Sequence, residues 1–500
     1  MNIAIEQINH AASLIAPEIA LLATVCVMFL VGPFLVSETG AASNGVRQRW
    51  GSLALLAIGV AGMIWYNSVP QEVTMGPFRA DALLWYTRGL TLSLGAVLVL
   101  VMWNQTSDSH AAEAYACLLS IIAGANLVAA ANDLVGVFLG LELVSIPTYV
   151  LLYLLRGGRA TREATVKYFL LSVFSSALVL YGMSWLYGAI GTTNLAGIAD
   201  ALRANKSTTE PLTLRLALAL LVAGLGFRIT AVPFHFYAPD VFEGVAQANA
   251  AMLSFVPKVV GFVALVRLLP LTGATLSPGL WLPSESAQML LAILSVVTMF
   301  IGNLLALRQK NLQRLLAYSS VANAGYMLVG LAAGNVGTVG GTSAMLFYLA
   351  CYGFMTLGVF ALLRGAGAEH PVVTRDDLRG LSRVQPVNAL LLTVCLLSLI
   401  GLPPTAGFWG KLNLFFAAWT EGTHTGHWLA ALLALNAAIA AWYYLRLIAL
   451  MFLETDPDAE KRRNKKELVA WLAGVFCTAA TVAIFFSPQW LWDVVVRATS

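Results

Sequence analysis

Charge is what this sequence has least of. Among its 500 residues only 11% are Asp, Glu, Lys or Arg, against about 25% in ordinary soluble domains. Polar stretches are short, so no soluble domain is visible. Cysteine is equally sparse. Cys26, Cys117, Cys351, Cys395 and Cys477 are scattered through apolar segments, without the spacing of a disulfide framework or a metal site, and read as small buried hydrophobes. No Gly-rich phosphate loop follows a strand, and no Cys or His cluster could hold a metal or an iron–sulfur cluster. Redox chemistry within this chain alone is therefore not expected. The net charge of +4 arises from Lys and Arg in loops and calls for no nucleic-acid partner. Before the first apolar run, Met1–Ser13 contain Glu6 but no Lys or Arg, so that run is expected to be a retained span, since secretory signals begin with basic residues.

What the chain has instead is apolar sequence: 59% of residues are hydrophobic, in long runs such as Leu14–Val36 and Leu134–Leu155. About fourteen runs approach the roughly 20 residues that cross a bilayer, starting near residues 14, 50, 82, 114, 134, 167, 212, 245, 286, 314, 340, 387, 427 and 468. Backbone in lipid must satisfy its own hydrogen bonds, so the spans are expected to be helices and the fold an all-α integral membrane protein. Alternate loops differ in charge. One set holds Arg47, Arg49, Arg156, Arg159, Arg162, Lys167, Arg308, Lys310, Arg314, Arg364, Arg375, Arg379, Arg383 and the cluster Lys461–Lys466. The other holds only Arg79, Arg203, Lys206, Arg215, Arg267 and Arg497. The first set is expected to be cytoplasmic, which puts both termini outside and favours a bacterial cytoplasmic membrane.

Charges inside apolar spans carry the functional signal, because each costs about 3 kcal/mol or more at the bilayer centre and so faces protein or a water-filled path. Glu142 sits in LGLELVSIPTYVL, Arg228 in LVAGLGFRITAVPFHF, Lys258 in AMLSFVPKVVGFVAL and Lys411 in LIGLPPTAGFWGKLNLFF. Structural ion pairing is the plain alternative for the set. Glu18, near the start of the first span, reads as interface-solvated, and Arg88 and Arg446 read as snorkelling to headgroups. His235 in VPFHFYAPD suits a proton carrier and a hydrogen-bonded packing residue equally well, and Asp240 and Glu243 read as members of a solvated turn.

Prolines accompany these charges: Pro147, Pro233, Pro257 and Pro403–Pro404. A helix-interior proline removes a backbone hydrogen bond, and transporters place ion sites at such breaks, often in matching positions of two inverted halves. Arg228 and Lys411 lie five spans apart, in the seventh and twelfth. That spacing implies two inverted five-helix repeats with broken helices, 114–270 and 286–453, flanked by three N-terminal spans over 1–113 and by a basic loop and last span over 454–500. A buried lysine can titrate because desolvation lowers its pKa, so a row of such groups points to ion or proton movement.

At these residues the chain resembles the N subunit of proton-pumping NADH-quinone oxidoreductase, respiratory complex I, an antiporter-like membrane subunit. The matching stretches are FLGLELVSIPTYVLLYL, REATVKYFLLSVFSSALVLYGMSWLYG, AVPFHFYAPDVFEGV, RLLAYSSVANAGYMLVG and SLIGLPPTAGFWGKLNLF. FHFYAPDVFEG discriminates best, since sibling subunits carry a histidine, threonine and tryptophan before the proline-aspartate. The resemblance implies a partner set of membrane and peripheral subunits, including antiporter-like siblings. It also implies that NADH, FMN, iron–sulfur clusters and quinone are handled in other subunits. Glu142 and Arg228 would form a switching charge pair, Lys258 the central relay and Lys411 the exit or onward connection.

Three departures from the family pattern remove titratable or flexible elements. Arg228 stands where lysine is usual, and arginine is effectively always protonated. Asn323 stands where histidine is usual, with Gln313 in place of a basic residue upstream. GVAQANAAML replaces a proline pair at the start of the eighth span, which implies a milder helix break. The alternatives are a scaffold subunit with an impaired channel, a cation/proton antiporter subunit outside complex I, and a secondary transporter for a small solute.

Overall fold

The computed structural model describes residues 11–35, 45–68, 72–204, 212–272, 274–277, 280–282, 284–335, 339–367, 372–454 and 467–499. Glu6, Lys206 and the cluster Lys461–Lys466 lie outside them. Helices run in the order α1 Ala16–Val31, α2 Val46–Asn67, α3 Ala82–Met102, α4 Ala111–Ala130, α5 Leu134–Leu154, α6 Arg159–Ile190, α7 Leu195–Ala204, α8 Leu212–Arg228 and α9 Ala238–Gly244. They continue with α10 Gln247–Leu268, α11 Glu285–Leu307, α12 Leu312–Ala333, α13 Gly341–Ala366, α14 Pro386–Ile400, α15 Ala406–Thr420, α16 His424–Phe452, α17 Leu468–Phe486 and α18 Pro488–Thr499. Two small antiparallel ribbons, Val73–Met75 with Phe78–Ala80 and Ala274–Ser277 with Leu280–Leu282, sit between helices.

Among the described residues, 12 helices are long and apolar enough to cross a membrane. The expected spans near 212 and 387 differ from these. Each is broken: α8 stops at Arg228, and α14 stops at Ile400 before α15 resumes at Ala406. None of α8, α14 and α15 alone reaches the roughly 20 residues of an uninterrupted span, so these broken helices stand beside the 12 continuous ones.

Burial sorts the helices. α4, α10, α12 and α13 are enclosed almost completely, whereas α1, α2, α5, α6, α16 and α17 expose much of their surface. That exposed surface is apolar, with Leu30, Leu139, Phe174, Trp442 and Phe476 among it, as expected where lipid is the solvent. Two close crossings rely on paired glycines. A Cβ at Gly124 in α4 would lie 3.0 Å from Val144 N, and one at Gly140 in α5 would lie 2.9 Å from Val128 N. A Cβ at Gly302 in α11 would lie 2.6 Å from Ala322 N, and one at Gly325 in α12 would lie 2.7 Å from Met299 N. Small residues let backbones approach this closely in a membrane, where dispersion replaces the hydrophobic drive between helices.

Candidate proton-path residues

The first cluster forms where α8 ends. Arg228 occupies its last turn, where a cation meets the negative end of the helix dipole, and Thr230 follows in the left-handed region at φ 60. Holding a non-glycine residue there costs about 1–3 kcal/mol, which the buried surroundings of Arg228 and Thr230 must offset. The guanidinium points at α5 and α6. Arg228 Nη1 donates to Ser145 Oγ at 2.8 Å and Nη2 to Ser176 Oγ at 3.4 Å. Arg228 Nη2 stands 3.5 Å from Glu142 Oε1, which also accepts from Ser176 Oγ at 2.5 Å. Glu142 keeps a quarter of its side chain exposed, on the outer face of α5, while Arg228 is buried. The two sequence candidates therefore meet as a hydroxyl-bridged ion pair, with Arg228 Nε buried and without a hydrogen-bond partner among the described residues.

Lys258 lies at the centre of α10, wholly buried, one residue after Pro257. Its Nζ donates to Ser320 Oγ of α12 at 2.5 Å. No carboxylate pairs with it among the described residues. Its described hydrogen bond is to a hydroxyl, a group that can both accept and donate a proton.

Lys411 is placed by the second break. Gly401 ends α14 in the left-handed region at φ 91, leaving the last carbonyls of that helix without helical partners. Lys411 Nζ donates to Leu399 O at 2.8 Å and Ile400 O at 2.9 Å, and sits 4.8 Å from the centre of the Tyr326 ring. A break that would otherwise expose orphan acceptors thus becomes a cation site.

His235 falls in the irregular stretch between α8 and α9. Its Nδ1 is buried without a hydrogen-bond partner, and no bond among the described residues joins it to Glu142, Arg228, Lys258 or Lys411. Asp240 and Glu243 are not merely solvated. Both pair with Arg314 at 2.8 Å, and Asp240 also pairs with Lys167 at 3.2 Å. Burial tends to raise the Asp240 carboxyl, but Lys167 and Arg314 hold it below the ordinary carboxylate value. Lys167, Asp240 and Glu243 line a cavity of about 450 Å³ with Arg156 and Gln313. At the start of α10 the helix is interrupted only over Val245–Ala246.

Two buried ion pairs escaped the sequence reading. Arg88 does not snorkel and Glu18 is not solvated. Arg88 Nε and Nη2 donate to the two Glu18 carboxylate oxygens at 2.8 and 2.6 Å, and Nη2 also donates to Leu14 O at 2.6 Å. Each partner is within reach of lipid only if taken alone; together they remove each other from it. Arg446, by contrast, is exposed. Asp81, the N-cap of α3, accepts Arg267 Nη1 at 2.5 Å and Nη2 at 2.8 Å. Burial would raise the Asp81 carboxyl, but Arg267 overrides this and holds it low. Also unread were the buried hydroxyls of α12 and α13, among them Ser319 and Ser320 within RLLAYSSVANAGYMLVG and Tyr348 and Tyr352, four residues apart, in the following helix. Among the described residues no three His, Cys, Asp or Glu side chains converge as metal ligands would.

Residues 131–439 match the family described as NADH:quinone oxidoreductase/Mrp antiporter, transmembrane. The chain is 37% identical to the NADH-quinone oxidoreductase subunit N of Trichlorobacter lovleyi, over 92% of this chain and 91% of that one. It is 34% identical to the subunit N of Rhodospirillum rubrum, over 94% and 93%. A chain of respiratory complex I from Thermus thermophilus superposes with a TM-score of 0.78 at 29% identity, covering 95% of this chain and 98% of that one. At 23% identity a chain of an archaeal membrane-bound sulfane sulfur reductase shares the fold, with a TM-score of 0.80.

Proposed function

Because this chain belongs to the NADH:quinone oxidoreductase/Mrp antiporter transmembrane family, we propose that it is an N-type membrane-arm subunit of a proton-translocating NADH:quinone oxidoreductase. Its relatives over nearly full length are subunits of that enzyme by name. In this reading it is a multi-pass protein of a bacterial cytoplasmic membrane with both termini outside, assembled with sibling antiporter-like subunits and with peripheral subunits. NADH, FMN, iron–sulfur clusters and quinone belong to those other subunits, and this chain contributes translocation, not redox chemistry.

The observation that carries the mechanism is the Glu142–Arg228 pair together with Lys258 and Lys411 buried in the helix bundle. Glu142 and Arg228 are a pair whose separation can change. With Glu142 drawn to Arg228, the positive field on Lys258 is reduced and Lys258 can hold its proton. With Glu142 turned away, the fixed charge of Arg228 repels an ammonium at Lys258 and promotes release. Lys258 is the titrating relay and Lys411 the group beyond it; His235, unbonded to the row, is at most a side branch. Two inverted repeats, 114–270 and 286–453, supply this geometry. The paired glycines of α4 and α5 recur in α11 and α12, and each half contains one broken helix bearing one of the cations, which supports that division.

Glu142→Gln tests the pair. In an assembled complex it should lower NADH-driven proton uptake and quinone reduction together, while Glu142→Asp keeps part of both. Wild-type rates for Glu142→Gln would contradict the switching role. The second reading, a scaffold with an impaired channel, is favoured by Arg228, Asn323 and Gln313, and would be supported by that outcome.

A further inference from the structure

Between Lys258 and Lys411 lies a layer built by α12 and α13, and it is polar. Ser319, Ser320 and Asn323 of α12, and Tyr348 and Tyr352 of α13, are all buried. Ser320 Oγ receives Lys258 Nζ at 2.5 Å and the Tyr352 hydroxyl at 2.9 Å. One turn along, Tyr348 donates to Asn323 Oδ1 at 2.5 Å, and Asn323 Nδ2 donates to Ser319 O at 2.8 Å. Ser319 Oγ also meets the Tyr444 hydroxyl. The Tyr348 ring packs on Gly410, where an added Cβ would lie 2.4 Å from Cδ2; Gly410 is the residue before Lys411. Spacing of four residues puts Tyr348 and Tyr352 on one face of α13, so the hydroxyls lead from one lysine toward the helix of the other.

A hydroxyl both donates and accepts, which is what passing a proton onward requires and what the amide of Asn323 cannot do without changing tautomer. Mutual satisfaction of buried polar groups would explain bonds among Ser319, Asn323, Tyr348 and Tyr444. It does not explain why the network opens on Lys258 with Ser320 accepting from two sides.

We propose that Ser320 and Tyr352 are the groups through which Lys258 exchanges its proton, with Tyr348 next on the way to Lys411. In the step, a Lys258 N–H bond breaks as an O–H bond forms at Ser320. Tyr352 donates to Ser320 in the resting arrangement, so both hydroxyls first rotate until Ser320 donates to the Tyr352 oxygen; the original Ser320 proton then moves to that oxygen as the Tyr352 proton passes to a water molecule and on toward Tyr348 and Lys411. Each hydroxyl is re-formed, Lys258 is left neutral, and one proton has advanced. No histidine or carboxylate is then needed between the lysines. The assignment rests on the reading of Lys258 as a path residue.

The test uses the assembled complex in inverted vesicles, recording NADH-driven proton uptake and quinone reduction. Assembly is checked by NADH oxidation with an artificial acceptor. Ser320→Ala and Tyr352→Phe should each slow coupled turnover by on the order of tenfold, less than the 10²–10⁴ typical of a lost proton-transfer group because water can partly bypass them. Ser320→Thr, which keeps the hydroxyl, should recover most of the rate. Lys258→Ala is run beside them. Wild-type rates in Ser320→Ala and Tyr352→Phe with loss in Lys258→Ala would overturn the hydroxyl relay alone. Wild-type rates in all three would overturn the path reading itself. If Ser320→Ala does not assemble, Tyr352→Phe, which leaves the ring in place, decides between the same outcomes.

Discussion

The Glu18–Arg88 pair gives the sharpest energetic prediction. Both side chains are buried, at 0% and 6% exposure, and Arg88 spends three hydrogen bonds on Glu18 and Leu14 O. Removing one partner leaves the other charge uncompensated, which costs about 3–5 kcal/mol. Arg88→Leu strands the carboxylate and the Leu14 carbonyl; Glu18→Leu strands the guanidinium. Replacing both removes two desolvation penalties at once and is expected to be neutral or stabilising by about 1–4 kcal/mol. The double-mutant cycle should therefore show coupling at or above the top of the usual 0.5–3 kcal/mol range. Equilibrium unfolding of the purified chain in mixed micelles with rising SDS, followed by helical circular dichroism, measures it. If each single change costs under about 1 kcal/mol and the two add, the pair is solvated like a surface salt bridge and the burial argument fails.

Arg228→Lys should keep or raise coupled activity, because a lysine can release its proton whereas arginine cannot. A large loss would show that the contacts of the two guanidinium nitrogens to Ser145, Ser176 and Glu142 are themselves required. Asp81→Asn should destabilise the chain by about 3–5 kcal/mol, since it leaves Arg267 buried beside a neutral group. The Asp81 carboxyl is held below its ordinary value by Arg267, so the stability it contributes is fully present above the unfolded value near 3.9 and is lost only as pH falls through the lowered one. The cost of Asp81→Asn should accordingly be the same at pH 6 and pH 8 in thermal unfolding.

Helices, spans and the four deep charges were legible because lipid makes each unusual residue costly. An unbroken apolar run has one reading in a bilayer, and a lysine within it has few. Broken spans were visible through Pro233 and Pro403–Pro404, but their half-helix lengths were not, since hydropathy continues through the break. Partnerships over long sequence separations were illegible. Glu18 and Arg88 lie 70 residues apart, and each taken singly is cheap to solvate near a membrane surface. Asp81 and Arg267 read as ordinary loop charges for the same reason. The hydroxyls of Ser320, Tyr348 and Tyr352 were hidden because serine and tyrosine in an apolar helix can bond their own backbone or an interface, and only the packing of the helices brings Ser320 to Lys258, Tyr352 to Ser320 and Tyr348 to Asn323.

The most direct test of proton movement through this chain is the number of protons taken up per quinone reduced in inverted vesicles, compared between wild type and Lys258→Ala at matched assembly. The account predicts that the ratio falls, or that both rates collapse together, because among the described residues Lys258 is the one ammonium bonded to Ser320. An unchanged ratio at unchanged rates would make Lys258 structural and leave the chain a scaffold.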